Sequence, residues 1–564
     1  MGIIQFKEAN CKNCYKCIRN CGIKSICFHD EQASILEDKC VLCGKCTIVC
    51  PQNAKQVSSD LPLIKKYLED GVKVIASIAP SYVAAFPDAD FAAVSAALKK
   101  LGFSRVEETA IGATQVSSEY ARLMREKKMK NIITTCCPTA VMLVEKYYPE
   151  LISNLAPVVS PAVAHAKILK EIYGSRAKVV FIGPCISKKK EAESSNAINA
   201  VLLFDELIDW LKEAGVEVRE PDAEPAEMHK TVSRLYPSPG GIIQTIPSEN
   251  RRSYKSISVD GLDRCIAILQ SILDHGIEGY FIEMSACAGS CVQGPGLHVH
   301  QTPLLISRDL LIANARKKTT SPKLMAEDVT LNLSAVYNDT MVRDKVPGEE
   351  DIQKILALTG KTREEDLLNC GTCGYSTCRE KAIAVFQGKA DIRMCLPYMR
   401  EKAESMSNLV FENTPNAIFL LDKELNILEM NQAAKAFFNL PGGAGGMFIG
   451  MLLDMTDFDK FRETGEPVLD SRRQTRDKNH IIRQTIVAVP NGDCLVIARD
   501  VTLEEEERRE HEKLRRETID TAQKVIDKQM RVAQEIASLL GETTGETKAA
   551  LTKLKRSIAQ GESI

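Results

Sequence analysis

The sequence predicts a multidomain protein built from α/β and α+β domains, and three observations support this fold class. The chain has 564 residues, enough for three or four domains at about 100–200 residues each. One cysteine pattern occurs twice in the first 50 residues, apolar and amphipathic stretches alternate from Gly71 onward, and the last segment repeats apolar residues at helical spacing. We expect five segments, with bounds at 1–58, 70–345, 350–400, 405–503 and 504–564.

Composition and charge exclude two classes of partner. The chain carries 73 basic and 75 acidic side chains without a long basic block, so we expect no nucleic-acid partner, because such binding depends on neutralising phosphates. No apolar run reaches the roughly 20 residues of a membrane helix, so we expect no membrane partner. The N-terminus lacks the basic and apolar stretches of a secretion signal, so we expect a cytoplasmic protein.

The N-terminal cysteines have the spacing of iron–sulfur ligands. The pattern C-x2-C-x2-C-x3-C occurs at Cys11, Cys14, Cys17 and Cys21, and again at Cys40, Cys43, Cys46 and Cys50. Three thiolates on a short loop hold one face of a [4Fe–4S] cluster, and the fourth ligand comes from the other copy. We therefore predict two clusters, one bound by Cys11, Cys14, Cys17 and Cys50 and the other by Cys40, Cys43, Cys46 and Cys21. Segment 1–58 resembles a two-cluster bacterial ferredoxin domain, with two structural zinc sites as the alternative.

Segment 70–345 has the pattern of an α/β domain. Apolar runs predict strands at 72–78, 131–135, 178–182 and 279–283, and amphipathic stretches predict helices at 91–101, 117–127, 161–173 and 204–214. Three groups of cysteines follow predicted strands: Cys136 and Cys137, then Cys185 with Lys188 and Glu191, then Cys287 and Cys291. Open α/β sheets bind ligands at the carboxyl ends of their strands, so we expect these groups to form one site.

In this order, after a two-cluster ferredoxin segment, the three groups resemble the signatures of the [FeFe]-hydrogenase active-site domain. The resemblance covers about residues 1–345. It implies an H-cluster, in which a [4Fe–4S] cluster is bridged to a diiron subsite with CO, cyanide and azadithiolate. The ligands that it implies are Cys137, Cys185, Cys287 and Cys291, with Cys291 as the bridging thiolate.

The same resemblance implies roles for further residues. Cys136 would be the free thiol that receives the proton, and Lys188 would lie near a cyanide of the diiron subsite. The alternatives are a vicinal redox pair for Cys136 and a solvated charge run for Lys188. The turn Ala79, Pro80 and Ser81 resembles the family's turn against the same subsite.

Departures from the family's motifs predict slow turnover. Ala140, Gly183 and Ser285 are smaller than the family's residues beside the diiron subsite, and Ser117 and Ser118 stand where carboxylates continue the proton path. Because acid–base relays need groups within hydrogen-bond reach of one another, we expect a broken relay beyond Cys136.

A third type of cysteine motif follows. Segment 350–400 has C-x2-C-x4-C-x16-C spacing at Cys370, Cys373, Cys378 and Cys395. It resembles the small iron–sulfur domain of corrinoid iron–sulfur proteins. This resemblance implies a third [4Fe–4S] cluster in addition to the H-cluster. Zinc is the alternative, because four thiolates also suit it.

The last two segments contain no cysteine cluster. Segment 405–503 resembles a PAS sensor domain through residues 411–422, 427–434 and 496–502. His480 and Cys494 lie in no haem or flavin motif, so we expect a dimerising PAS domain without a cofactor. Segment 504–564 shows a heptad seam at Thr518, Ala522, Val525, Gln529, Val532, Ile536 and Leu539. We expect a coiled-coil helix, with a helix packed on the PAS domain as the alternative.

Together these features predict a cytoplasmic sensory [FeFe] hydrogenase with slow reversible H2 chemistry. The partners that we expect are a redox protein such as ferredoxin, maturation enzymes for the diiron subsite, a second copy of the chain and a downstream signalling protein. A metabolic ferredoxin-linked hydrogenase is the alternative. An iron–sulfur assembly scaffold is disfavoured by Lys188, Glu191 and the Cys287–Cys291 pair.

Overall fold

The computed structural model describes residues 2–7, 10–29, 32–219, 231–316, 331–440, 445–540 and 544–560. These residues form two compact units, Met1–Tyr398 and Met399–Ile564. A search of the helices within the described ranges finds none that is both long and apolar enough to span a bilayer.

Segment 1–58 is made of short elements that hold the cysteine loops. They are β1 (Ile4–Phe6), α1 (Lys16–Arg19), β2 (Ile26–His29), β3 (Gln32–Ile35), α2 (Lys45–Ile48) and β4 (Lys55–Val57). Strand β1 pairs antiparallel with β4, and β2 pairs antiparallel with β3. Each helix follows the first cysteines of one motif copy, so the two copies have matching local structure.

The next segment is an α/β domain. Its elements are α3 (Leu61–Glu69), β5 (Val74–Ile78), α4 (Tyr82–Ala85), α5 (Phe91–Lys100), β6 (Arg105–Glu108), α6 (Ala110–Glu126), β7 (Ile132–Ile133), α7 (Pro138–Tyr147), α8 (Pro161–Tyr173), β8 (Lys178–Gly183), α9 (Lys188–Ser195), β9 (Ala200–Leu203), α10 (Phe204–Glu213), α11 (Gly241–Thr245), β10 (Lys255–Asp260), α12 (Leu262–His275), β11 (Tyr280–Ser285) and α13 (Leu304–Arg316). They form two parallel sheets, with strand orders β6-β5-β8-β9 and β10-β11-β7.

The central strands of the first sheet are buried on both faces, as their unbroken apolar sequences predict. The helix expected at 117–127 begins earlier, at Ala110. Gly112 lies in this earlier turn because α8 passes close to it, and a Cβ on Gly112 would lie 2.2 Å from the Pro161 carbonyl oxygen. Such a glycine interrupts the apolar pattern, so the sequence underestimates the length of α6.

The small cysteine domain docks on segment 1–58. Its helices are α14 (Glu349–Ala357) and α15 (Cys378–Phe386). The Phe28 N–H donates to the Lys389 carbonyl oxygen at 3.0 Å, and Lys24 Nζ donates to the Gly374 carbonyl oxygen at 2.5 Å. Asp344 forms ion pairs with both Lys39 and Lys389. Helix α16 (Leu396–Asn413) starts directly after Cys395 and continues into the second unit.

The second unit has an antiparallel sheet with a buried apolar core. Its elements are β12 (Ala417–Leu421), β13 (Ile427–Met430), α17 (Gln432–Phe437), α18 (Thr456–Thr464), β14 (Val468–Gln474), β15 (Ile481–Ala488), β16 (Cys494–Asp500), α19 (Thr502–Leu540) and α20 (Thr544–Gln560). The strand order is β13-β12-β16-β15-β14.

The C-terminal segment forms two helices, α19 and α20, where the sequence predicted one coiled-coil helix. Helix α20 runs back along α19, and Arg515 Nη2 donates to the Ala559 carbonyl oxygen at 3.2 Å. Of the predicted seam, Val525, Val532 and Ile536 are exposed, whereas Ala522 is half-buried. The Leu539 side chain lies outside the described residues.

Candidate functional site

The residues that the resemblance singled out in segment 70–345 line one cavity. It lies at the carboxyl ends of β5, β7, β8 and β11. Its wall includes Ala79, Pro80, Ser81, Cys136, Cys137, Cys185, Lys188, Cys287 and Cys291. Ligand sites of α/β proteins form at this end of parallel strands, so the topology accounts for the convergence of four separate chain segments.

Local backbone structure positions the thiols. Cys137 is the N-cap residue of α7, with Pro138 in the first turn. Gly289 and Ser290 have positive φ angles of 81° and 60°, which turn the chain sharply between Cys287 and Cys291. This turn brings Cys287 and Cys291 to the same wall.

The four thiols Cys137, Cys185, Cys287 and Cys291 fit a metal cluster. Burial raises the pKa of Cys137, Cys287 and Cys291, and the neighbouring thiolates raise it further. Cys137, Cys287 and Cys291 therefore resist ionisation unless cations replace their protons, as metal binding does. The chemistry of this donor set therefore fits the [4Fe–4S] part of the H-cluster.

A buried hydroxyl in the same wall fits the second part of the H-cluster. Ser81 Oγ is fully buried and has no hydrogen-bond partner among the described residues. A buried hydroxyl without a partner costs free energy, so the site suits a ligand that accepts or donates a hydrogen bond there. Cyanide on a diiron subsite is such a ligand.

Lys188 is a buried cation at the cavity, not part of a solvated charge run. Its Nζ donates to Glu191 Oε2 at 2.6 Å, to Ser160 Oγ at 2.7 Å and to the Cys136 carbonyl oxygen at 3.4 Å. Burial lowers the pKa of Lys188, but the Glu191 carboxylate and the Cys185 thiolate outweigh this effect and raise it. Lys188 therefore stays charged in the cavity wall.

Cys136 is held by a tyrosine. The Cys136 Sγ lies 3.2 Å from the Tyr120 hydroxyl. The oxygen of this hydroxyl accepts a hydrogen bond from the Thr135 N–H at 3.0 Å. Burial raises the pKa of Cys136 to about 12, although the Tyr120 hydrogen bond and Lys188 act in the opposite direction. Cys136 is thus a protonated thiol at neutral pH and can donate toward the cavity.

The sequence analysis missed two residues of the wall, Glu283 and Tyr236. Glu283 accepts hydrogen bonds from the Gly240 N–H at 2.8 Å and the Ile243 N–H at 3.0 Å. Burial raises its pKa to about 7, despite these hydrogen bonds. The feature of the sequence that could have identified Glu283 is its position at the end of an otherwise apolar predicted strand.

The two serines that replace the family's carboxylates have different surroundings. Ser117 Oγ lies 2.7 Å from Tyr236 OH and 2.6 Å from Thr245 Oγ1, in a chain of hydroxyl groups that begins at the cavity. Ser118 is exposed and donates to the Thr114 carbonyl oxygen on its own helix. Only Ser117 therefore connects to the cavity wall.

The three small residues also differ in their surroundings. Ser285 lines the cavity and shares a hydrogen bond of 2.7 Å with Ser290. A Cβ on Gly183 would lie 2.8 Å from the Phe181 ring, so Phe181 occupies the space that a larger residue would need. Ala140 packs in an apolar cluster behind α7.

Two of the three predicted ligand sets outside this cavity also group together. Cys21 lines a cavity with Cys40, Cys43 and Cys46, and Cys43 also lines the main cavity. Cys17 is buried and Cys14 is exposed, close to the start of α1. Within the described ranges, no three His, Cys, Asp or Glu side chains surround a point suited to a single metal ion. In the small domain, Cys370, Cys373, Cys378 and Cys395 line one cavity.

Four parts of the chain match known protein families. Residues 72–295 match the iron only hydrogenase large subunit, C-terminal domain, and residues 33–56 match a 4Fe-4S binding domain. Residues 368–397 match a putative Fe-S cluster family, and residues 406–473 match a PAS domain. These matches confirm the mixed α/β fold with iron–sulfur, hydrogenase and PAS parts.

Curated relatives agree with the family matches. The chain is 28% identical over 361 residues to the periplasmic [Fe] hydrogenase large subunit of Nitratidesulfovibrio vulgaris, covering 52% of this chain and 86% of that protein. It is 25% identical over 253 residues to iron hydrogenase 1 of Clostridium pasteurianum, covering 36% of this chain and 44% of that protein. A solved structure of the [FeFe]-hydrogenase HydA1 of Chlamydomonas reinhardtii aligns with 50% of this chain and 100% of its own, at 17% identity and a TM-score of 0.40.

Proposed function

This chain belongs to the [FeFe]-hydrogenase family and carries a PAS domain, and we propose that it is a low-turnover hydrogenase that senses H2 or redox state. The reaction is the reversible oxidation of H2 to protons and electrons. The observation that carries the proposal is the cavity in which four thiols, Cys136, Lys188 and the unpartnered Ser81 hydroxyl meet.

We propose that Cys137, Cys185, Cys287 and Cys291 hold the H-cluster, which when bound supplies the metal centre at which H2 is split or formed. Ala79, Pro80 and Ser81 form the wall beside it, and Lys188 supplies a positive charge that suits an anionic ligand. Two ferredoxin-type [4Fe–4S] clusters and one in the small domain would complete the electron chain, each held by the cysteines expected from the sequence. We also propose the five segment bounds that the sequence predicts.

The chain's own residues handle the proton. Cys136 Sγ holds a proton at the cavity, and the Tyr120 hydroxyl fixes the orientation of that thiol at 3.2 Å. Glu283 faces the same cavity, and its pKa of about 7 lets it take up and release protons at neutral pH. We therefore assign Glu283 as the acid–base group that exchanges protons with Cys136.

Slow turnover follows from the groups that lie beyond Cys136 and Glu283. Ser117 presents a hydroxyl group where the family has a carboxylate, and the groups that it contacts, Tyr236 and Thr245, are hydroxyl groups as well. Hydroxyl groups do not ionise near neutral pH, so they relay protons less effectively than carboxylates do.

Infrared spectroscopy of anaerobically matured full-length protein tests the hydrogenase proposal. We expect CO and cyanide bands and H2 evolution from a strong reductant. Normal iron loading without those bands would refute the H-cluster and favour an assembly scaffold. Maturation here requires the enzymes that build the diiron subsite.

The sensory part of the proposal is supported by the covalent order. Helix α16 begins directly after Cys395, a proposed cluster ligand, and ends at Asn413, shortly before the first PAS strand at Ala417. A change in cluster charge at Cys395 acts on the N-terminus of this helix, which leads into the PAS domain. We propose a cytoplasmic homodimer that signals through its PAS domain and α19 to a partner protein.

Hydrogen exchange compares the intact protein under H2 and under argon. We expect a difference within residues 380–540, and we expect a chain truncated before Glu401 to keep H2 chemistry but lose dimerisation. Equal exchange under both gases would favour the second candidate, a metabolic ferredoxin-linked hydrogenase. That candidate is favoured by the buried thiol Cys136, which fast H2 evolution also requires.

A further inference from the structure

The cavity of the small domain is surrounded by positive charge. It is lined by Cys370, Cys373, Cys378 and Cys395 together with the lysines Lys361 and Lys381. Among the described residues that line it, none is a carboxylate. A cluster with four thiolate ligands carries net negative charge, so the lysines are its counter-charges.

Both lysines are fixed in place and buried. Lys361 is 7% exposed, and its Nζ lies 3.4 Å from Cys395 Sγ and 3.1 Å from the Thr359 carbonyl oxygen, to both of which it donates. Lys381 is 6% exposed, and its Nζ donates to the Ile392 carbonyl oxygen at 2.8 Å. Neither lysine forms an ion pair with a carboxylate among the described residues.

Two helix N-termini add to this positive environment. Helix α15 starts at Cys378 itself, with the Thr377 side chain capping it by accepting from the Glu380 N–H, and α16 starts directly after Cys395. The free N–H groups at a helix start carry partial positive charge. The acidic side chains nearby have other partners: Glu380 accepts from the Ser376 N–H, and Asp391 pairs with Arg393, although its charge also acts on Lys381.

The cavity formed by Cys21, Cys40, Cys43 and Cys46 in segment 1–58 differs. The lysine in its wall, Lys45, is 43% exposed at its side chain and pairs with Asp263 at 3.6 Å. Solvent and the carboxylate screen that charge, so it acts weakly on a cluster there. The buried Lys55 also acts on Cys46 in this segment. The small domain has two buried lysines together with two helix N-termini, and so favours the more negative, reduced state of its cluster more strongly.

We propose that Lys361 and Lys381 are positioning residues that raise the reduction potential of the cluster held by Cys370, Cys373, Cys378 and Cys395. Electrons from the rest of the chain then collect at this cluster, next to the start of α16. Docking on segment 1–58 supports this role, because Cys373 shares one apolar cluster with Cys17 and Cys21. The inference rests on the small domain holding an iron–sulfur cluster but not on hydrogen chemistry, so it can fail independently of the proposed reaction.

A redox titration followed by electron paramagnetic resonance tests the proposal on anaerobically reconstituted full-length protein. The Cys373→Ala variant identifies the signal of the small-domain cluster. We expect Lys361→Met and Lys381→Met each to shift the midpoint of that signal to a more negative potential. Lys361→Arg keeps the positive charge, so its midpoint potential should lie close to that of the unaltered protein.

Lys354→Met is the matched control, since Lys354 lies in the same domain on α14, is exposed and does not line the cavity. It should leave the midpoint unchanged. Unshifted midpoints in both buried-lysine variants, with the signal present, would overturn the proposal. Loss of the signal in both Met variants with a normal midpoint in Lys361→Arg would also overturn it, because the lysines would then be needed to assemble the cluster rather than to set its potential.

Discussion

Replacement of Glu283 by glutamine is expected to remove the main pH dependence of the hydrogenase reaction. The Cys136 pKa is raised to about 12 and the Tyr120 pKa lies well above its usual range. Glu283, with a pKa of about 7, is therefore the wall residue that titrates near neutral pH. Glutamine keeps an acceptor for a backbone N–H but carries no exchangeable acid proton.

The magnitude follows from the shift of the Glu283 pKa from 4.5 to about 7. Each pKa unit corresponds to about 1.4 kcal/mol, so burial and the opposing hydrogen bonds together favour the protonated carboxyl by roughly 3 kcal/mol. A positioned acid–base group contributes about 10²- to 10⁴-fold to a rate, which sets the expected loss of turnover in Glu283→Gln.

The sign of the pH dependence of the rate differs between the two directions of the reaction. Proton reduction needs the protonated donor, so its rate should fall as pH rises through about 7. H2 oxidation needs the ionised acceptor, so its rate should rise over the same range. Rates of both reactions measured from pH 5 to 9 in the matured protein should show opposite profiles, and both should flatten in Glu283→Gln.

Glu107→Gln is the matched control for this experiment. Glu107 is also buried with a raised pKa and accepts a hydrogen bond from Tyr173 at 2.7 Å, but it does not line the cavity. Its substitution should leave both pH profiles unchanged. Infrared bands of CO and cyanide should persist in both variants. If Glu283→Gln keeps the opposite profiles with their midpoint near 7, Glu283 is not the acid–base group.

Three further outcomes are expected. Cys137→Ala should abolish the CO and cyanide infrared bands, whereas Cys136→Ser should keep them and lower turnover; loss of the bands in both would contradict the assignment within this pair. Ser117→Glu should raise H2 evolution because Ser117 joins the hydroxyl chain at the cavity, and Ser118→Glu should not, since Ser118 is exposed; equal effects would argue against a path along this chain. Val532→Glu places a charge on the exposed seam of α19 and should shift the protein from dimer to monomer in light scattering, and an unchanged mass would exclude this seam as the interface.

The parts of the site that sequence spacing predicts are those fixed by short-range geometry. Cys287 and Cys291 belong to one tight turn, and Cys137 caps the helix that its own following proline begins. A single chain segment determines such positions, so their pattern is visible without a structure. Strand ends then bring the segments together, because parallel strands present their carboxyl ends on one side.

The parts that the sequence could not predict depend on distant segments. Glu283 is a lone carboxylate without a motif, and its pKa depends on its burial in the domain, with N–H groups from Gly240 and Ile243 opposing the rise. Gly183 is smaller than the family's residue beside the diiron subsite, and the sequence could not show that the Phe181 ring occupies the space that a larger residue would need. The burial of Lys361 and Lys381 likewise depends on how the small domain closes around its cysteines.

The docking of the small domain on segment 1–58 limits how freely this domain can be exchanged between proteins. The interface uses the Phe28 N–H and the Lys24 ammonium, which lie far from residues 350–398 in sequence, and the Asp344 carboxylate, which lies just before them. Grafting residues 350–398 onto another ferredoxin-containing enzyme would leave the Lys389 carbonyl oxygen and ammonium group without these partners. A functional chimera must therefore carry the small domain, the matching surface of segment 1–58 and Asp344 together.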